Sequence, residues 1–199
     1  MKNIFTKIEF HYSFLIVALG LVLTGHFCNL FVYTLLIIVH EFGHVISAIA
    51  FKYKVDKIII YPYGGFTKFN TIINTEIYKD LVVAISGVIM QCICFSIVYL
   101  LYSNGIIREY IYNLFCLYHK SMLIFNSLPI IPLDGFNIVN LFLSKILSFN
   151  FSNKLSVFIS LCTMIVFLLC NMYERNYSVV LVIGILMSNI YKFYNNICL

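Results

Sequence analysis

The segment HEFGH, from His40 to His44, contains the residues whose types and spacing are best suited to chemistry. On a helix, an HExxH sequence places its two histidines one turn apart on a single face, as a tetrahedral metal ion requires. Glu41 lies beside them and can take a proton from water, whose pKa a bound metal lowers to about 7. The alternative is a pair of buried histidines that bridge helices. Burying three ionisable residues in an apolar helix is costly without compensation, which favours the metal.

A catalytic zinc site usually has three protein ligands and an open fourth position, so one more ligand must come from elsewhere. Asp134 is the best candidate, because it follows Pro129 and Pro132, which end an apolar helix and can turn the carboxylate inward. Its alternative role is that of a helix-terminal carboxylate facing water. The other histidines lie at span ends or toward the outer half of a span, and we expect them to be interfacial or packed: His11, His26 and His119.

The elements that position these residues are predicted to be helices in a membrane. Of the 199 residues, 62% are apolar and 11% are charged, and the mean hydropathy is +0.96. An ordinary soluble domain is about 45–50% apolar and about 25% charged, so that class is excluded. Because one span needs about 20 apolar residues, the chain has room for about six spans and no independent soluble domain. We therefore expect an all-α polytopic membrane protein.

Six apolar segments are the predicted spans, and the HExxH motif lies in the second. They run from about Phe10 to Leu23, Phe27 to Phe51, Leu81 to Ile107, Ile111 to Leu128, Leu155 to Tyr173 and Tyr177 to Tyr191. After the second span, residues 58–69 read IIIYPYGGFTKF, in which β-branched and aromatic residues are interrupted by Pro62, Gly64 and Gly65. This pattern predicts a short β-hairpin or re-entrant loop at the membrane surface.

The distribution of basic residues predicts the orientation. The net charge of +5 could indicate a nucleic-acid partner, but the positions of the charges argue against one. If the N-terminus is cytoplasmic, the cytoplasmic segments hold most of the lysines, whereas the outer loops hold Arg108 and Arg175. We expect both termini in the cytoplasm, a lipid bilayer as the surroundings and no nucleic-acid partner. The 7 cysteines form no CxxC pair and are interpreted as small core residues.

Two motifs taken together resemble the site-2 protease family of intramembrane zinc metalloproteases. HEFGH is followed by NSLPIIPLDG at residues 126–135, which is similar to the NxxPxxxxDG motif of that family. LIVALGLVLTGH at residues 15–26 and YPYGGF at residues 61–66 are similar to the sporulation branch. The similarity extends over most of the chain, from about Phe10 to Asp134.

The resemblance implies a zinc metalloendopeptidase in which His40, His44 and Asp134 bind Zn²⁺ and Glu41 is the general base. Residues 1–199 would then be a single intramembrane metalloprotease domain. Members of the sporulation branch also carry a cytosolic regulatory domain after the last span. This sequence ends at Leu199, and no separate soluble regulatory domain is expected within it.

The implied substrate is a membrane-associated protein, cut near the cytoplasmic face. For the sporulation branch it is a sigma factor precursor that loses its pro-segment, and membrane inhibitor proteins are further implied partners. Asn126 would contact the substrate or the transition state. A helical substrate hides its scissile carbonyl in hydrogen bonds, so it must be extended, and the hairpin could lend it an edge strand with Gly64 and Gly65 as substrate contacts. The alternative is that the hairpin only plugs the cavity.

Two other function classes share part of this pattern. A membrane-embedded zinc hydrolase acting on lipid or on lipidated peptide ends would need HExxH, but neither Asn126 nor the Pro-Asp-Gly segment. A non-catalytic transporter or assembly partner would hold a structural metal or none, and would tolerate the loss of Glu41. Transporters usually show paired broken helices in matching halves, which are not evident in this sequence. The paired motifs favour the protease.

Overall fold

The computed structural model describes residues 8–62, 64–70, 76–173, 184, 186–191 and 193. Helices dominate this part of the chain: α1 (Tyr12–Leu23), α2 (Phe27–Ala50), α3 (Ile77–Ser103), α4 (Glu109–Ser127), α5 (Asp134–Ile146) and α6 (Phe149–Tyr173). Three strands form one small sheet: β1 (Ile8–Phe10), β2 (Lys54–Tyr61) and β3 (Gly64–Asn70). The predicted helical fold and hairpin are confirmed, while β1 adds a strand that we did not expect.

Three helices in the described residues are long and apolar enough to span a membrane. They are Phe27–Ala50, Ile77–Ser103 and Asn150–Asn171. With 12 residues, α1 is about 18 Å long and shorter than a hydrocarbon core of about 30 Å. The predicted fourth span corresponds to α4, which carries Glu109, His119 and Lys120 and is not among the three. The predicted sixth span lies largely outside the described residues, so the count of six is not confirmed.

The chain divides into two compact units, Met1–Leu123 and Ile124–Leu199. In the first unit, α2 and α3 pack closely because Gly43 of α2 lies against Gly87 of α3. A Cβ atom at Gly43 would lie 2.9 Å from the Gly87 Cα. Small residues allow this kind of close helix packing where lipid removes the hydrophobic drive for association. The apolar core beside this contact consists of Phe14, Val32, Leu36, Ile37, Ile60, Leu114, Phe115 and Met122.

The sheet docks on α2 through one face of β2. β2 pairs in parallel with β1 and antiparallel with β3, so β3 is an edge strand of the described sheet. Val55, Ile58 and Ile60 are the buried residues of β2, and the irregular register between Val55 and Lys57 brings Val55 to the same face as Ile58 and Ile60. Val55 and Ile58 on that face cluster with Val45 of α2. The hairpin is thereby held against the helix that carries the HExxH motif.

In the second unit, α5 and α6 are joined by a buried polar cluster. The Asn140 Oδ1 accepts hydrogen bonds from the hydroxyls of Ser152 at 3.1 Å and Ser156 at 3.0 Å. One turn further along α6, the Ser160 hydroxyl accepts a hydrogen bond of 3.1 Å from the backbone N–H of Ile131. These bonds hold the segment that leads into α5.

The cysteines do not occupy the core positions that we expected. Six lie in the described residues, all are free thiols, and none is buried. The interpretation as core residues is wrong for the four that are exposed: Cys28, Cys92, Cys162 and Cys170. Because their helices are apolar, these thiols lie on surfaces that lipid can cover without cost.

Candidate metal centre

His40 and His44 lie one turn apart on the buried face of α2, as the HExxH spacing predicts. Their side chains are almost fully buried, and their Nε2 atoms are 3.2 Å apart. The two rings meet nearly at right angles, with an interplanar angle of 81°. Two ring nitrogens are thereby brought next to each other in a buried position.

The proton of His44 is fixed by a backbone group. Its Nδ1 lies 2.7 Å from the carbonyl oxygen of Val83 in α3. A carbonyl oxygen can only accept a hydrogen bond, so Nδ1 carries the proton and Nε2 of the neutral ring keeps a lone pair. α3 can come this close because Gly87 has no side chain. A Cβ atom there would lie 2.5 Å from the His44 Nε2 and 2.8 Å from the His40 Cε1.

His40 is oriented by a side chain instead. Its Nδ1 lies 3.3 Å from the Oε1 of Gln91, an oxygen that can only accept, so the second Nε2 also keeps its lone pair. Two lone pairs that face each other at 3.2 Å repel unless a cation lies between them. Nitrogen ligands about 2.0–2.1 Å from a tetrahedral zinc ion lie about 3.3 Å apart. The spacing and protonation of the two rings therefore fit a zinc ion.

Glu41 completes a group of three ligand-type side chains. One ligand atom from each of His40, Glu41 and His44 lies within 4.8 Å of the others. The Glu41 side chain is buried, and its Oε2 accepts a hydrogen bond of 2.5 Å from the Thr67 hydroxyl in β3. Sequence reasoning missed Thr67. The available signal was strand periodicity, because Gly65 and Thr67 lie on the same face of β3.

The tip of the hairpin lies close to the metal group. Gly64 is buried and begins β3, and a Cβ atom at Gly65 would overlap the Glu41 carboxylate. The Tyr33 hydroxyl of α2 donates a hydrogen bond of 3.1 Å to the carbonyl of Pro62 and anchors the tip. Gly65 therefore brings the β3 backbone against Glu41, where a side chain would not fit.

Asn126 and Asp134 belong to the second unit. Asn126 is buried near the end of α4, and Asp134 is the half-buried first residue of α5. A carboxylate at that position also interacts favourably with the positive end of the helix dipole. Gly135 has no room for a Cβ atom, which would collide with the backbone oxygens of Ser127 and Leu128. The segment between the two helices is therefore folded tightly on itself, and the ligand and substrate roles of Asp134 and Asn126 stay predictions.

The remaining histidines have other surroundings. His11 is the N-cap of α1 and accepts a hydrogen bond of 3.3 Å from the backbone N–H of Ser13. His26 is exposed and precedes α2. His119 is buried in α4 and stacks on Phe95, with 4.6 Å between ring centroids. Within the described part of the chain, these histidines do not belong to the metal group.

Comparison with known proteins agrees with the resemblance carried by the two motifs. Residues 29–109 match the model of peptidase family M50. The chain is 32% identical over 161 residues to stage IV sporulation protein FB of Bacillus subtilis (strain 168), a match that covers 80% of this chain and 56% of that relative. Its fold is similar to that of the site-2 protease from Methanocaldococcus jannaschii, with a TM-score of 0.71 and 25% identity over 93% of this chain and 89% of that one.

Proposed function

The chain carries a peptidase family M50 domain of the site-2 protease type, and from that premise we propose that it is an intramembrane zinc metalloendopeptidase. The observation that carries this proposal is the pair of buried His40 and His44 Nε2 atoms 3.2 Å apart, with a buried glutamate next to them. Two imidazoles one helical turn apart, with a glutamate beside them, are the arrangement in which HExxH hydrolases use the histidines as zinc ligands and the glutamate as general base. Their helix, α2, is one of the three that can span a membrane.

His40 and His44 would hold the zinc ion, and Asp134 is proposed as the third protein ligand. Its support is the motif in which it lies and the usual need of catalytic zinc for three protein ligands. Bound zinc supplies Lewis acidity, which lowers the pKa of water and polarises a carbonyl. Burial of the histidines keeps bulk water away from this group.

Glu41 is proposed as the general base. Because Thr67 occupies its Oε2, the Oε1 atom would take the proton from the attacking water and later pass it to the leaving amine. The short hydrogen bond also limits rotation of the carboxylate. The hairpin therefore takes part in holding the base in position.

The proposed substrate is a membrane-associated protein that is cut near the cytoplasmic face. The similarity to a sporulation protein supports a sigma factor precursor as the candidate. Membrane inhibitor proteins are proposed as further partners. Lys52, Lys54 and Lys68 are exposed around the hairpin, which favours the cytoplasmic side for it. Asn126 is proposed to contact the substrate or the transition state, because its amide can donate to a carbonyl oxygen.

The free edge of β3 is proposed to pair with the substrate. β3 has β2 as its partner in the described sheet, and its other edge carries backbone groups that an extended peptide can bind. Gly65 brings this strand beside Glu41, so a peptide on that edge would lie near the base. The alternative, a hairpin that only covers the site, needs no such pairing.

The proposal is tested by measuring zinc content and cleavage together. Purified wild-type protein should contain about one zinc ion and should cut a membrane-tethered sigma factor precursor. Glu41→Gln should keep the zinc and reduce cleavage by at least about 100-fold, as expected for the loss of a general base. Glu76→Gln, the same change at an exposed carboxylate paired with Lys79, is the matched control and should change neither. Undiminished cleavage by Glu41→Gln, with zinc retained, would reject the assigned base.

Three further variants separate the parts of the proposal in the same assay. Asp134→Ala should lower zinc content, whereas Asn126→Ala should keep the zinc and lower cleavage. Normal peptide cleavage by Asn126→Ala would leave that residue without a catalytic role.

Phe66→Pro tests the edge-strand role of the hairpin. The change removes one backbone N–H from β3 and should reduce cleavage with zinc retained. If cleavage is unchanged, the edge-strand role is lost and the hairpin is only a cover.

A further inference from the structure

Gln91 is a fully buried polar residue in the middle of α3, a helix apolar enough to span a membrane. Burying an amide in such surroundings is costly unless its hydrogen-bonding groups are all used. The structure shows partners on two different helices. A residue of this kind needs an explanation beyond packing.

The Gln91 side chain bridges α2 and α4. Its Nε2 lies 3.1 Å from the backbone carbonyl oxygen of His119 and 3.2 Å from the Nδ1 of the same residue. Its Oε1 lies 3.3 Å from the Nδ1 of His40. His119 is itself held by stacking on Phe95 and Phe115. The amide therefore has a partner on each side.

These contacts determine the direction of every hydrogen bond in the network. The His119 carbonyl oxygen can only accept, so the amide nitrogen of Gln91 must face it. The amide oxygen then faces His40, whose Nδ1 must be the donor. With its proton on Nδ1, neutral His40 presents a lone pair on Nε2, the atom that faces His44. The opposite amide orientation would set two carbonyl oxygens against each other and favour a proton on Nε2, where zinc binds.

We propose that Gln91, held by His119, is a positioning residue that keeps His40 in its zinc-binding tautomer. This inference rests on the proposed zinc site. The two histidines differ in this respect, because His44 is fixed by the backbone carbonyl of Val83, which no substitution removes. The tautomer and orientation of the His40 ring depend on the Gln91 side chain, so a mutation of Gln91 can change them. Partners of this kind behind a metal-bound histidine typically raise metal affinity 10- to 100-fold.

The test is zinc affinity, measured on the purified full chain by competition with a chromogenic chelator. Gln91→Leu fills a similar volume and removes all three hydrogen-bond contacts of the amide, and we expect it to bind zinc about 10- to 100-fold more weakly. Gln91→Glu in its protonated form keeps an acceptor for the His40 Nδ1–H and a donor toward the His119 carbonyl, and should retain most of the affinity. Ser96→Ala is the matched control, because among the described residues the Ser96 hydroxyl bonds to the Cys92 carbonyl of the same helix, and zinc affinity should not change.

The thermal midpoint of the zinc-free protein is measured in parallel, to separate folding from metal binding. If Gln91→Leu does not fold, Gln91→Met, which is flexible and fills the site more evenly, takes its place. A folded Leu or Met variant with wild-type zinc affinity would overturn the proposal, and so would equal losses in Gln91→Leu and Gln91→Glu. A wild-type protein that binds no zinc would instead refute the proposed function.

Discussion

At the scale of single residues, the most informative contact joins Glu41 to Thr67. The carboxylate belongs to α2, but the hydroxyl that holds it belongs to β3, 26 positions away in sequence. A hydrogen bond to a charged group typically contributes about 1.5–3 kcal/mol. Thr67 should therefore affect the position of the proposed base without affecting the metal.

Replacing Thr67 by valine should lower kcat and leave zinc content unchanged. Valine has nearly the same shape as threonine but no hydroxyl, so the Glu41 carboxylate loses the partner that orients it. We expect a decrease in kcat of about tenfold or more, with little change in KM. Thr67→Ser keeps the hydroxyl and should recover most of the rate. Equal rates for Thr67→Val and the wild type would show that the contact has no part in positioning Glu41.

At the scale of elements, one stripe of α3 organises the metal group. Val83, Gly87 and Gln91 follow one another at intervals of four residues, so they lie along one face of the helix. The outer two hold the Nδ1 atoms of His44 and His40, and Gly87 lies directly against the two rings. These contacts form only if α3 stays packed closely against α2.

Gly87→Ala should therefore disrupt zinc binding. A Cβ atom at this position would overlap both imidazoles, so the rings must rotate away from their bonds with α3 or the helices must separate. We expect zinc affinity to fall by about tenfold or more, measured by chelator competition on the purified protein. Gly20→Ala is the control, because its Cβ atom would meet nothing within 4 Å. That change should preserve zinc binding and stabilise α1 by about 1 kcal/mol. Unaltered affinity in Gly87→Ala would contradict the tight packing of α3 on the histidines.

At the scale of the whole molecule, charge and helix length predict an orientation. α3 has 27 residues and is about 40 Å long, enough to bring its two ends to opposite sides of a bilayer. Exposed lysines surround the hairpin that precedes it, whereas Arg108 lies beyond its other end. Lysine and arginine are more frequent on the cytoplasmic side. The hairpin, and with it the approach to Glu41, should therefore face the cytoplasm.

Cysteine labelling in intact cells tests this orientation. In a background without the 7 native cysteines, Lys54→Cys reports on the hairpin and Asn104→Cys on the far end of α3; both positions are exposed. A membrane-impermeant maleimide should label Asn104→Cys directly and Lys54→Cys only after the membrane is permeabilised. The reverse pattern would place the hairpin outside and would contradict cleavage near the cytoplasmic face.

The sequence by itself determined the features that depend on local periodicity. HExxH brings two histidines to one helix face because the helical repeat alone brings residues four apart together. The apolar runs predicted α2, α3 and α6, and the pattern around Pro62, Gly64 and Gly65 predicted the hairpin. None of these depends on what lies next to the element, so each could be predicted without a fold.

Only the tertiary structure decided which side chains support the metal group. Val83, Gln91 and Thr67 lie 39, 51 and 26 positions from the residues that they contact. Local sequence shows that Gln91 is polar within an apolar helix and that Thr67 shares a strand face with Gly65, but it does not show which side chain either residue meets. The parallel pairing of β1 with β2 likewise joins Ile8 to Ile58 across two helices. Such contacts depend on which faces of distant elements meet, and that is determined by the packing of the whole unit rather than by any one stretch of sequence.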